Sequence, residues 1–180
     1  MKVIIIHGAH GYPEENWFPW LKLELQKLGH DVVVPRFPTP EGQNLKNWMS
    51  IIKRYQIEDN TILIGHSIGA TLILRILERN RARAAYLVSG FFGALDNKEV
   101  DKANSTFFEK PFDWDEIKSN CKKIVMFGSD NDPYVPVKKR DELAEKLGIK
   151  PIIVKGAGHF NTKAGYTKFE LLLKELLHND

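Results

Sequence analysis

The chain has 180 residues, 43% of them hydrophobic, which is typical of one compact domain with its own core, so we expect a single domain over residues 1–180. Lysine plus arginine number 26 and aspartate plus glutamate 23, giving a formal net charge of +3 with both signs scattered. This balance indicates no particular charged partner. We expect no nucleic-acid binding, because the short basic clusters form neither a long stripe nor a recognisable module.

The cysteine content and the N-terminal segment indicate neither a disulfide-stabilised protein nor a secreted or membrane-spanning one. Cys121 is the only cysteine, so no intramolecular disulfide can form. The apolar run Val3–Ile6 is too short for a signal peptide or a membrane span. We therefore expect a cytoplasmic protein without a membrane span.

Runs rich in valine and isoleucine alternate with longer segments that carry apolar residues at helical spacing. This alternation is typical of βαβ units and predicts an α/β fold, a three-layer α/β/α sandwich with about six mostly parallel strands. In chain order, the predicted elements are strand Lys2–Ile6, helix Trp17–Leu28, strand His30–Pro35, helix Leu45–Ile57, strand Thr61–Gly65, helix Ile68–Glu78, strand Ala84–Val88, strand Lys123–Phe127, helix Lys138–Leu147, strand Lys150–Lys155 and helix Thr167–Leu177.

The segment 90–116 interrupts this alternation. It has no clear period, and it mixes aromatic residues with charges and a proline. We expect it to be a short insertion that covers a binding site.

The strongest local motif is TILIGHSIGA at positions 61–70, where an apolar strand ends in G-x-S-x-G and passes directly into a helix. A serine at such a turn is strained so that its hydroxyl points outward, and its neighbours must be small to avoid the adjacent backbone. The motif predicts that Ser67 is a nucleophile. A helix-capping serine in a glycine-rich turn is the simpler alternative.

A serine nucleophile needs a base within hydrogen-bond reach and a third group that holds the tautomer of the base. In this fold class the acid and then the histidine follow the serine, each at the carboxyl end of a strand. His159 follows the last predicted strand and is the candidate base. Asp130 and Asp132 follow the strand before it, and either could be the acid. His66 is disfavoured as the base, because adjacent side chains leave a turn in different directions.

An oxyanion formed at Ser67 would need two N–H donors. The backbone N–H of Ile68, at the positive end of the following helix, is the first candidate. The second candidate is Ala9, in the HGAHG loop at positions 7–11. A dinucleotide site is disfavoured in this loop because G-x-G-x-x-G is absent.

Three motifs carry a family resemblance: GHSIG at 65–69, SDNDPYVP at 129–136 and GHFN at 158–161. With them, the chain resembles, over nearly its whole length, the compact serine hydrolases that include the retinoblastoma-binding hydrolase and its bacterial relatives. The resemblance implies a minimal α/β-hydrolase fold without a large cap domain. It also implies a triad of Ser67, Asp132 and His159, with Asp132 rather than Asp130 as the acid. The HGAHG loop departs from this pattern and resembles the HG loop of lipases.

We therefore expect a carboxylesterase-like serine hydrolase that cleaves small esters through an acyl-enzyme on Ser67, without a metal or an organic cofactor. The partner would be a small ester or acyl substrate. Phe91, Phe92 and Trp114 are candidate substrate-binding residues of an apolar pocket, although core packing explains these aromatics equally well. The alternatives are a peptidase or amidase of the same fold, and a catalytically silent protein-binding module.

Overall fold

Six parallel strands form one sheet in the computed structural model, which describes residues 1–178. The sheet order is β2-β1-β3-β4-β5-β6, and every neighbouring pair is parallel. The prediction of about six mostly parallel strands is confirmed. The strands are β1 (Lys2–Ile6), β2 (Asp31–Val33), β3 (Thr61–His66), β4 (Ala84–Val88), β5 (Ile124–Ser129) and β6 (Ile152–Val154).

Helices cover both faces of the sheet and complete the predicted three-layer α/β/α sandwich. The core on one face includes apolar side chains of the first and last helices, and the core on the other includes those of the remaining five. The helices are α1 (Phe18–Lys27), α2 (Leu45–Ile52), α3 (Ile68–Leu77), α4 (Lys98–Phe108), α5 (Trp114–Asn120), α6 (Val137–Leu147) and α7 (Glu170–Leu177), with a short 3-10 helix at Thr162–Ala164.

The largest differences from the predicted boundaries lie at the edges of the sheet and at helix ends. β2 and β6 are shorter than predicted, because each edge strand pairs with one neighbour over only three residues. α2 ends at Ile52 rather than Ile57, since a turn follows in which the Tyr55 N–H donates to the Ile52 carbonyl.

The segment 90–116 is more regular than the sequence indicates. It contains α4 and the start of α5. The sequence shows no clear period here because α4 buries only Asn104 and Phe107, too few to produce an apolar stripe at helical spacing.

The first turn of α3 packs directly against the carboxyl end of β1. A Cβ atom on Gly69 would lie 2.5 Å from the Ile6 carbonyl oxygen and 2.7 Å from that of His7. A Cβ atom on Gly65 would lie 2.7 Å from the Ala70 nitrogen. The expected need for small residues on both sides of Ser67 is thus confirmed.

No helix within residues 1–178 combines the length and the apolar character needed to cross a membrane.

Candidate active site

Ser67 lies at the turn between β3 and α3 in a conformation that residues other than glycine rarely adopt. Its φ is 55° and its ψ is −123°. The side chain makes no capping hydrogen bond to α3, so the helix-cap alternative has no support in the structure. Ser67 and His159 both line one cavity of about 1010 Å³.

His159 pairs with Asp132 at the carboxyl ends of β5 and β6. Its Nδ1 lies 3.0 Å from Asp132 Oδ1 and 2.9 Å from Oδ2. The two side chains are only 9% and 4% exposed, so solvent screens their attraction little. Asp130 instead accepts a hydrogen bond from the Gly156 N–H at 2.8 Å. The structure therefore brings Asp132, and not Asp130, to the histidine.

Three further donors hold the Asp132 carboxylate. The N–H groups of Tyr134 and Val135 donate to Oδ1 at 2.9 and 3.1 Å, and the Ser89 hydroxyl donates to Oδ2 at 2.8 Å. Burial alone would raise the pKa of Asp132, but the hydrogen bond and charge of His159 and the two backbone donors lower it overall. The carboxylate is thus kept ionised, and it orients the histidine so that Nδ1 carries a proton.

Ser89 was not singled out from the sequence. It directly follows β4 and has a φ of 48°, a strained value for a serine. Its position at the carboxyl end of a central strand was the available signal, since active-site residues collect at that edge of a parallel sheet.

His66, next to Ser67, supports the loop that carries His159. Its Nε2 lies 2.7 Å from the His159 carbonyl oxygen, and because a carbonyl can only accept, Nε2 carries the proton. Burial, followed by the charge of His159, lowers the pKa of His66 to about 3. The ring is neutral, its unprotonated Nδ1 is buried without a partner, and a pKa of about 3 makes it too weak a base to accept a serine proton at neutral pH.

The loop after β1 is held by a second neutral histidine, His7. Phe37 donates its N–H to His7 Nε2 at 3.0 Å, so the proton on Nδ1 is donated to the Gly8 carbonyl at 2.8 Å. Burial lowers the pKa of His7 and favours this neutral form. Ala9 follows in the cavity wall, and its N–H has no hydrogen-bond partner within residues 1–178.

The structure separates the three aromatic residues expected to bind substrate. Phe91 lines the cavity, although it is only 1% exposed. Phe92 and Trp114 do not line it and pack on each other with ring centroids 4.9 Å apart. Both also contact the ring of Phe112. The core-packing explanation therefore fits Phe92 and Trp114.

Within the described part of the chain, no group of three or more histidine, cysteine, aspartate or glutamate side chains is arranged to hold a metal ion.

The buried His66 predicts an acid-sensitive contribution to stability. Its folded pKa of about 3 lies below the ordinary value of 6.5, so the unfolded state binds a proton first as the pH falls. Between these two pH values, protonation of His66 in the unfolded state lowers the free energy of unfolding by up to about 1.4 kcal/mol for each unit by which the pH falls. Urea unfolding from about pH 7 to about pH 5 should therefore give a shallower pH slope for His66→Gln than for the natural chain. Parallel slopes would contradict this account.

Comparisons with known proteins agree with the fold and with the motifs. A family model described as serine hydrolase matches residues 3–178. The serine hydrolase RBBP9 of Rattus norvegicus is 30% identical over 177 residues, which cover 96% of this chain and 92% of RBBP9. The hydrolase YdeN of Bacillus subtilis is also 30% identical over 177 residues, covering 95% of this chain and 92% of YdeN.

Solved structures extend the similarity to three dimensions. The crystal structure of the Bacillus subtilis ydeN gene product aligns with a TM-score of 0.91 at 30% identity, over 99% of this chain and 97% of that one. Est1E from Butyrivibrio proteoclasticus, solved with ferulic acid bound, aligns with a TM-score of 0.66 over 98% of this chain and 89% of Est1E. At 17% identity it supports the fold alone. Taken with the strained serine between β3 and α3, these matches show that the chain belongs to the serine hydrolase family.

Proposed function

We propose that this serine hydrolase cleaves carboxylic esters, with Ser67 as nucleophile, His159 as general base and Asp132 as the residue that orients the base. The observation that carries the proposal is the His159–Asp132 pair, whose histidine lines the same cavity as the strained Ser67. The pair has the hydrogen bonding that a Ser-His-Asp mechanism requires of its base and acid.

In the first half of the reaction, the Ser67 oxygen attacks the ester carbonyl carbon while His159 accepts the hydroxyl proton. The N–H groups of Ile68 and Ala9 stabilise the resulting oxyanion. Ile68 begins α3, so its N–H is one of the first four of the helix and lacks a partner inside it. Neither N–H has a hydrogen-bond partner within residues 1–178, so both are available to a developing charge.

The tetrahedral intermediate then collapses. The bond between the carbonyl carbon and the alcohol oxygen breaks, and His159 returns its proton to that oxygen. The acyl group remains on Ser67 until a water molecule attacks it, with His159 accepting the proton of the water and then protonating Ser67. The ionised Asp132 stabilises the imidazolium formed in each half.

Esters are favoured over amides because an alkoxide is a better leaving group than an amide nitrogen and demands less of the acid. One part of the cavity wall is apolar, with Phe91, Leu95 and Val100, and suits the hydrocarbon part of a small ester. Est1E, which shares the fold and was solved with ferulic acid bound, is compatible with this substrate class.

Fluorophosphonate labelling tests the nucleophile. The folded protein should incorporate one probe at Ser67, because only this serine has the proposed base and oxyanion donors. Ser67→Ala should abolish labelling, while Ser129→Ala, at the end of β5, should keep it. Labelling that survives Ser67→Ala, or that is absent from folded natural protein, overturns the hydrolase mechanism and favours a silent binding module.

Paired asparagine variants test the acid. Asp132→Asn should lower kcat/KM for an ester by about 10³- to 10⁴-fold at neutral pH, because an amide there favours the wrong tautomer of His159. Asp130→Asn is the matched control, since its amide oxygen can still accept from the Gly156 N–H. We expect a change of less than about three-fold for it, because that one neutral hydrogen bond is retained. Equal losses in the two variants would remove Asp132 from its proposed role.

A substrate panel tests the ester assignment. p-Nitrophenyl esters of short fatty acids should be hydrolysed with higher kcat/KM than aminoacyl p-nitroanilides, and Ser67→Ala should remove both activities. Ser67-dependent turnover that is faster for the anilides would identify a peptidase or amidase instead.

A further inference from the structure

One part of the cavity wall comes from α4 and carries a buried side-chain amide. Asn104 is 3% exposed and lines the cavity together with Ser67. Val100, one helical turn earlier on the same face, lines it as well. Asn104 thus presents a buried polar group to the cavity beside the apolar Val100.

A chain of hydrogen bonds fixes the orientation of this amide. The His10 N–H donates to Thr39 Oγ1 at 2.7 Å, and the Thr39 hydroxyl donates in turn to Gln43 Oε1. Gln43 therefore presents its Nε2 to Asn104 Oδ1, at 2.6 Å. Because the Asn104 oxygen is occupied as the acceptor, its Nδ2 donors point away from Gln43.

The Asn104 Nδ2 group has no hydrogen-bond partner within residues 1–178. The Nδ2 atom also keeps some accessible surface. Among the described residues, only His66 Nδ1 is a buried side-chain polar atom that has neither a hydrogen-bond partner nor accessible surface. The Asn104 N–H groups are therefore available to a molecule in the cavity. A donor held in this way disfavours any bound group that cannot accept a hydrogen bond.

We propose that Asn104 determines substrate specificity by donating a hydrogen bond to a second oxygen of the substrate, separate from the ester group that Ser67 attacks. The substrate class is an ester whose acyl or alcohol part also carries a carbonyl, ether or hydroxyl oxygen. This inference rests on the proposed esterase function. It assigns Asn104 to binding, and the reacting atoms stay with Ser67 and His159.

The test compares esters that differ in one oxygen. Ethyl esters of straight-chain keto acids, with the keto group moved along the chain, are measured against the fatty-acid esters of equal length. A second series places the keto group in the alcohol part. Proton release gives kcat/KM for every compound. For the best-placed oxygen in one series, the natural chain should favour the keto ester by about ten-fold, the scale of one neutral hydrogen bond in a buried site.

Two variants and one control assign this preference to Asn104. Asn104→Asp retains an oxygen that can accept from Gln43 but removes the N–H donors. Asn104→Leu removes the oxygen and the N–H donors without adding charge. Each should reduce the ratio of keto to fatty ester kcat/KM to about one, because the donor is gone. Asn97→Asp places the same charge at the same cavity and retains the side-chain oxygen that caps α4, so its ratio should match that of the natural chain.

The outcomes separate the two levels of inference. A natural chain that labels with fluorophosphonate but shows no keto preference in either series overturns the role of Asn104 and leaves the esterase proposal intact. A preference that persists in whichever Asn104 variant keeps the natural circular dichroism spectrum also overturns that role. A chain that neither labels nor hydrolyses any ester overturns the esterase proposal itself.

Discussion

The contact between the first turn of α3 and the end of β1 is the constraint on which the rest of the site depends. Gly69 lets the helix backbone approach the carbonyls of Ile6 and His7 more closely than any side chain would permit. This approach places the start of α3 beside the loop that follows β1. The strained φ of Ser67 is the geometric cost of turning from β3 into a helix held so close to the sheet.

Two neutral histidines stabilise the backbone around this contact without adding charge. His7 connects the loop after β1 to the segment after β2, and His66 connects the turn at Ser67 to the loop of His159. In both rings burial lowers the pKa, so the hydrogen bonds of one fixed tautomer persist at neutral pH. The charge beside the His159 ring lies on the Asp132 carboxylate, which four groups hold in place.

The sheet and the turn at Ser67 could be predicted from the sequence because both depend on local patterns. Apolar runs mark β1, β3 and β4, and the G-x-S-x-G motif fixes its own geometry through steric exclusion. The choice of Asp132 over Asp130 needed a family resemblance, since both aspartates occupy the same loop. Their roles diverge only through tertiary contacts, in which Gly156 takes one and His159 the other. The hydrogen bonds of Ser89 and Asn104 could not be predicted, because their partners lie 43 and 61 residues away in the chain.

The hydrogen-bond chain from His10 to Asn104 has a consequence for how such an enzyme diversifies. Thr39 and Gln43 set the orientation of a cavity amide although neither lines the cavity. Exchanging either residue would reverse or release that amide while leaving Ser67, Asp132 and His159 unaltered. Substitutions at positions that no ligand contacts can therefore change substrate selectivity. Relatives with the same sequence motifs need not share a substrate.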